Sequence, residues 1–199
     1  MSGIYGADVS AAMSVNDWKN LMNERSVSFG IVRCYQSLGQ VDPNAATSVA
    51  NGKAACLNYV DVYHYPCLAV DAQTQVEQAV AALQNTKFRR YWFDVETLDA
   101  GWSTTNQPSN SKFLSQLISA AYALGQQVGV YTSAGQWSTI IGDNSCRIYP
   151  LWYSNWSPPC PSFDDFVPFG GWTAPYMKQF AGNECHAGVS YDGDWTPNL

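Results

Sequence analysis

Between residues 4 and 141 this chain alternates, about five times over, a short apolar run with a stretch whose apolar residues recur at helical spacing. The runs at 4–10, 27–35, 58–65, 88–96 and 128–132 are rich in β-branched and aromatic residues, and the third sets Val60, Val62 and His64 against Asp61, Tyr63 and Tyr65, the period of a strand. The intervening stretches at 17–24, 44–55, 71–83 and 111–124 carry stripes such as Trp18, Leu21 and Met22, or Val76, Val80 and Leu83. Strand followed by helix, repeated, requires parallel pairing with helices outside the sheet. After 137–141 the pattern changes: 149–156, 176–181 and 188–195 read as strands joined without long helices, through a Pro, Gly and aromatic-rich loop at 157–173. The sequence predicts an α/β fold, a modified β/α barrel of five β/α units followed by three further strands, in one domain covering residues 1–199.

Composition narrows the class. Of 199 residues 46% are hydrophobic, enough to bury a substantial core, whereas only 13% are charged and 14% are aromatic. The surface must then be largely neutral-polar and aromatic, which suits sugars. A net charge of -6 and a pI near 4.6 argue against nucleic acid as a partner. No run approaches the roughly 18 to 20 apolar residues that cross a bilayer, and no signal peptide precedes the first strand. The six cysteines, Cys34, Cys56, Cys67, Cys146, Cys160 and Cys185, lack zinc-site spacing; their even number predicts up to three disulfides and a secreted protein, or one of a vacuolar or phagosomal lumen. Three cysteines lie in each half, so full pairing needs a bridge between halves.

The chemistry concentrates in Tyr91-Trp92-Phe93-Asp94-Val95-Glu96. On a strand Asp94 and Glu96 point to the same face with roots roughly 6 to 7 Å apart. Barrel chemistry lies at the C-terminal strand ends, and closing the barrel makes first and last strands neighbours, so Asp8 and Asp192 join Asp94 and Glu96 at one mouth. Paired carboxylates can deliver a proton to a leaving oxygen and place negative charge near a forming oxocarbenium ion. Like charges crowded together raise the pKa of at least one, and Glu96, a methylene longer, is the expected proton donor. Tyr63, Tyr131 and Trp152 fall near strand ends, where they either stack on sugar rings or simply pack. His64 is expected to be a packed structural histidine and His186 a loop residue, and the Asn155-Trp156-Ser157 sequon is expected to be unused. Two rivals are a metal-dependent phosphoesterase using the four acids and a non-catalytic wall-binding module.

Several segments in order resemble the glycoside hydrolase family 25 lysozymes, the Chalaropsis-type muramidases: Gly6-Ala7-Asp8-Val9-Ser10, Val41-Asp42-Pro43-Asn44, Val62-Tyr63-His64-Tyr65, Phe93-Asp94-Val95-Glu96, Gly129-Val130-Tyr131-Thr132, Leu151-Trp152-Tyr153, Lys178-Gln179-Phe180 and Ser190-Tyr191-Asp192. The cysteine-bearing variants of amoebae and nematodes look most similar. The resemblance implies a monomer, free of metal and cofactor, that cleaves the β-1,4 bond between N-acetylmuramic acid and N-acetylglucosamine in peptidoglycan glycan strands. It implies Glu96 as general acid, Asp94 on the N-acetyl group, Asp8 and Asp192 as the other site acids, and Tyr63, Tyr131, Trp152 and Gln179 on the substrate. The carboxylate spacing falls between retaining and inverting pairs and leaves the stereochemistry open; attack by the substrate's own 2-acetamido oxygen is a third route, which the resemblance favours. Two departures bear on substrate positioning: Arg33-Cys34-Tyr35-Gln36-Ser37-Leu38-Gly39 replaces a Lys-Ala-Thr-Glu-Gly type sequence, and Asp194 stands where many members have asparagine.

Overall fold

A computed structural model describes residues 3–97 and 100–197. In chain order the elements are β1 (Ile4–Val9), α1 (Val15–Arg25), β2 (Val27–Gln36), β3 (Gln40–Val41), α2 (Ala45–Ala54), β4 (Tyr59–His64), α3 (Ala72–Ala82), β5 (Tyr91–Asp94), α4 (Gln107–Ala123), β6 (Val128–Thr132), α5 (Ala134–Ile140), β7 (Leu151–Ser154), β8 (Met177–His186) and β9 (Val189–Thr196). Strands β1, β2, β4, β5, β6, β7 and β8 pair in parallel in that order. β9 then runs antiparallel to both β8 and β1 and closes the ring, while β3 is a two-residue hairpin partner of β2. This is the expected barrel of five β/α units and three further strands.

Local sequence explains the elements. Ser14 and Asp17 form a reciprocal capping box at the start of α1, and Trp18 and Leu21 supply its buried stripe. The stretch 97–110, rich in turn-forming residues, includes Leu98 and Asp99, which lie outside the described residues, and its end is helical. α4 begins at Gln107, four residues before the expected start, because Asn106 caps it and Pro108 sits in the first turn, where a missing N–H costs nothing. β5 is shorter than the 88–96 run.

Two apolar layers result. One fills the space between barrel and helices, with Trp18, Val62, Phe93, Leu117 and Val130 among its members. The other fills the barrel itself with Phe29, Ile31, Trp92, Tyr131, Trp152 and Met177. Gly129 admits the Trp92 ring there: a Cβ would lie 2.3 Å from it. Below this plug, fully buried Asp61 takes a two-pronged Arg89 contact at 3.0 and 2.9 Å and the Trp92 indole N–H at 2.9 Å. A packed interior leaves only the upper mouth for chemistry.

The cysteine expectation is corrected: all six are unpaired thiols. An even count does not align Cβ vectors, and bridging needs Cα atoms within about 7 Å and facing one another. Cys34 and Cys146 are buried, Cys34 beside Tyr91 and Cys146 beside Ser145, and burial pushes both thiols up to about 12. Cys67 packs by Gly39, Cys160 by Ser162, and Cys56 and Cys185 are exposed. The cysteine argument for an exporting pathway falls with the pairing.

Candidate active site

The carboxyl pair owes its position to the seam between β5 and β6. Past the end of β5, the Val95 N–H donates to Tyr131 O at 2.9 Å, and the Thr132 hydroxyl donates to Val95 O at 2.7 Å. Pinned this way, the chain keeps strand alternation beyond Asp94, so Asp94 and Glu96 line the same pocket while Val95 is fully buried on the other side. Thr97, at φ 39°, then turns the chain away and anchors its N–H on Gln136 Oε1 at 3.1 Å.

From the opposite wall come Asp8 of β1 and Asp192 of β9, directly paired in register. Gln179 of β8 joins them: its Nε2 donates to Asp8 Oδ2 at 2.8 Å and to Asp192 Oδ2 at 3.3 Å. Its Oε1 accepts from the Tyr131 hydroxyl at 2.8 Å, the Trp156 indole at 2.9 Å and the Ser154 hydroxyl at 3.2 Å. Two register shifts between Gln179 and Glu184 put a bulge in β8, with Asn183 at φ 59°. That bulge aims the Asn183 N–H at Asp192 Oδ1, 2.7 Å away. The bent hairpin reaches α1, where His186 Nε2 lies 2.9 Å from Glu24 Oε2; His186 therefore ends a strand rather than occupying a loop.

The pocket, about 100 Å³, is lined by Asp8, Asp94, Glu96 and Asp192 together with Tyr63, Tyr131, Trp152, Trp156 and Gln179. A larger groove, about 490 Å³, runs between α3 and α4 outside the barrel, and none of these acids reaches it. Burial, with Glu96 and Asp8 alongside, pushes the Asp94 carboxyl well above the ordinary carboxylate range, while the Arg33 guanidinium pulls the other way. Asp8 is raised by burial and by Asp192, against the pull of its Gln179 contact. Asp192 is raised by burial, against the Asn183 N–H. Asp94 Oδ1 is buried without a hydrogen-bond partner among the described residues. Protons are thus held more tightly in this mouth than in water, and the acids crowded there compete for them.

The chain matches the family described as "Lysozyme-like protein 1" over residues 2–180. It is 40% identical to "Probable GH family 25 lysozyme 4" of Dictyostelium discoideum, over 100% of this chain and 92% of that one. The chain belongs to the GH family 25 lysozymes. That membership makes it a glycoside hydrolase and sets aside the phosphoesterase and binding-module readings. The fold agrees with solved GH25-type structures. The lysozyme of Streptomyces coelicolor superposes with a TM-score of 0.74 at 21% identity, covering 98% of this chain and 92% of that one. The autolysin LytC of Streptococcus pneumoniae, solved with a synthetic peptidoglycan ligand, gives 0.75 at 18% identity, covering 97% of this chain and 46% of that one.

All eight site residues expected from sequence line this one pocket of the GH25 fold. Their exposures differ. Trp152 is only 2% exposed and forms the floor, edge-on to Tyr131 and Trp92, with its indole N–H held by Asp194 at 2.8 Å. Trp156, 42% exposed and not among the site residues expected from sequence, is an exposed aromatic wall of the pocket. Its signal was there to read: an aromatic just past a strand end. His64 is the packed residue expected, held between the Tyr91 hydroxyl at 2.5 Å and Gln75 Oε1 at 2.9 Å, with burial lowering it to about 3. The Asn155 amide of the sequon is engaged by Asp165.

Proposed function

We propose that this pocket hydrolyses the β-1,4 bond between N-acetylmuramic acid and N-acetylglucosamine in bacterial peptidoglycan, with Glu96 as general acid and Asp94 acting on the substrate's N-acetyl group. The observation that carries the reading is Asp94 Oδ1, buried and unpartnered among the described residues, beside Glu96 in a pocket with two further acids. A buried acceptor left unpaired costs about 1 to 3 kcal/mol, so the site favours a ligand that brings an N–H to it. A 2-acetamido group does so. The autolysin LytC, of similar fold, was solved with a ligand of this class, a synthetic peptidoglycan.

Glu96 gives its proton to the glycosidic oxygen as that bond breaks. The acetamido oxygen attacks the anomeric carbon, and Asp94, accepting the amide N–H, orients the group and offsets the positive charge that develops on it. Water then opens the cyclic intermediate, losing a proton to the Glu96 carboxylate, which restores the acid. Gln179, with both amide hydrogens and its carbonyl occupied by site side chains, positions Asp8 and Asp192 rather than the sugar. Trp156 and Tyr63 offer ring surface to the sugars. No helix among the described residues is long and apolar enough to cross a membrane. Because the substrate lies outside the bacterial cytoplasm, we place the enzyme's work in a lumen or outside the cell.

Digestion of purified peptidoglycan followed by mass spectrometry tests the assignment. Fragments ending in reducing N-acetylmuramic acid are expected; fragments ending in reducing N-acetylglucosamine, or none, reject it.

A further inference from the structure

Apart from Asp61, which Arg89 pairs, one buried acid of the barrel strands is not used by this mechanism. Asp194 on β9 is fully buried and lies opposite Gly6 of β1 and Gln179 of β8. Gly6 has no side chain, and the Phe29 ring takes the space a Cβ would need, 2.1 Å away. On the same face of β1, two residues on, stands Asp8. Asp194 Oδ1 accepts the Trp152 indole N–H at 2.8 Å; Oδ2 is buried and no N–H or hydroxyl among the described residues donates to it. What lies beside it is the Asp8 carboxyl.

The groups that face Asp194 are Asp8 from β1, Asp192 from β9 itself, Gln179 from β8 and Trp152 from β7. None is a cation, and both amide hydrogens of Gln179 are committed to Asp8 and Asp192. Two ionised carboxylates side by side in a dry interior repel, whereas one shared proton turns the contact into a charge-assisted hydrogen bond. Asp8 already has the Gln179 donor to stabilise its charge; Asp194 has a single indole.

We propose that Asp194 is a neutral carboxylic acid in the working protein, that its Oδ2–H donates to Asp8, and that it thereby positions Asp8 as a carboxylate at the floor of the pocket. Burial and the neighbouring Asp8 both push Asp194 well above the ordinary carboxylate range. In that state it has the shape and the donor of an asparagine. The inference rests on reading the pocket as the catalytic site, and its decisive measurement does not.

That measurement is the infrared difference spectrum of wild type minus Asp194→Asn at neutral pH. Loss of a neutral-acid C=O stretch is expected; loss of ionised-carboxylate bands alone overturns the proposal. On peptidoglycan, Asp194→Ala should lower kcat by about 10²-fold through misplacement of Asp8. Asp194→Asn should rescue it and carry the alkaline limb of the pH profile to higher pH, because an amide has no such proton to lose. An unshifted limb, or an Asn variant as impaired as the Ala one, counts against a positioning proton. If the Asn variant does not fold, carboxyl-labelled wild type decides by NMR: the aspartate resonance that responds to Trp152→Phe should keep a neutral-acid shift at neutral pH, and an ionised shift refutes it. Should the muramidase reading itself be wrong, no variant changes activity on peptidoglycan while the infrared result stands.

Discussion

Asp94 and Glu96 share a pocket and differ in one methylene and in their surroundings. Asp94 is buried with an oxygen awaiting a donor, whereas Glu96 is half-buried at the mouth, 3.5 Å from the Tyr131 hydroxyl. In the proposed mechanism that difference divides the labour: the buried group orients, and the one facing the opening delivers a proton. Glu96→Gln keeps volume and polarity yet cannot donate an acid proton, so kcat on peptidoglycan should fall by roughly 10² to 10⁴-fold with the melting temperature unchanged. Asp94→Asn should lose less and respond to the substrate's acetamido group. Turnover by Glu96→Gln within a factor of two of wild type removes Glu96 from the role of acid.

At the scale of elements, the site depends on two irregularities that place side chains where regular strands would not. The first is the seam at the top of β5 and β6, where Thr132 holds Val95 O after the strand has ended. Thr132→Val keeps the shape and strands that buried carbonyl without its hydroxyl donor. A loss of about 1 to 3 kcal/mol is expected, read as a lowered melting temperature, together with a fall in kcat larger than any change in KM. Full stability and full kcat would show that strand pairing alone places Glu96. The second irregularity is the β8 bulge, which aims a backbone N–H at Asp192. Neither device has a side-chain pattern that announces it.

Across the whole molecule, charge sets two responses to solution conditions. Asp8, Asp94, Asp192 and Asp194 are all raised in the fold, so the native state binds more protons than the unfolded chain. Their contribution is fully present below about pH 3.9, the unfolded carboxylate value, and is lost as pH rises through the folded values. His64, lowered to about 3, works oppositely: its contribution is present above about pH 6.5 and is lost as pH falls towards 3. Each proton held acts with the same slope, about 1.36 kcal/mol per pH unit, between the unfolded and folded values, and Asp94 together with the Asp8–Asp194 pair, all well above the ordinary range, outweighs the one imidazole. The melting temperature should therefore fall from about pH 4 to neutrality, and fall less in Asp194→Asn; a steady rise over that interval contradicts the shifts. The net charge of -6 gives the second response. Bacterial walls are generally anionic, and exposed charges repel over about 8 to 10 Å in ordinary salt. Moderate salt at neutral pH should raise clearance of whole walls and leave cleavage of a small neutral oligosaccharide unchanged. Wall clearance that declines with the first additions of salt sinks this expectation.

The sequence by itself determined the barrel. The alternation of two-residue and helical periods up to Ile141, and its failure afterwards, is local information written in side-chain chemistry, and it defines the order of five β/α units and three closing strands. It also determined that Asp8, Asp94, Glu96 and Asp192 meet, since closure of such a barrel brings first and last strands together. Only the tertiary structure decided the rest. Cysteine pairing depends on distances between elements far apart in sequence, and an even count says nothing of those distances. Trp156 enters the site because its ring packs over Gly182, where a Cβ would lie 2.3 Å from it. Asp194 reads in sequence as a departure from an asparagine; it becomes a proton carrier only because β9 sets it over a glycine, under an indole and beside Asp8, in a barrel too dry for two charges.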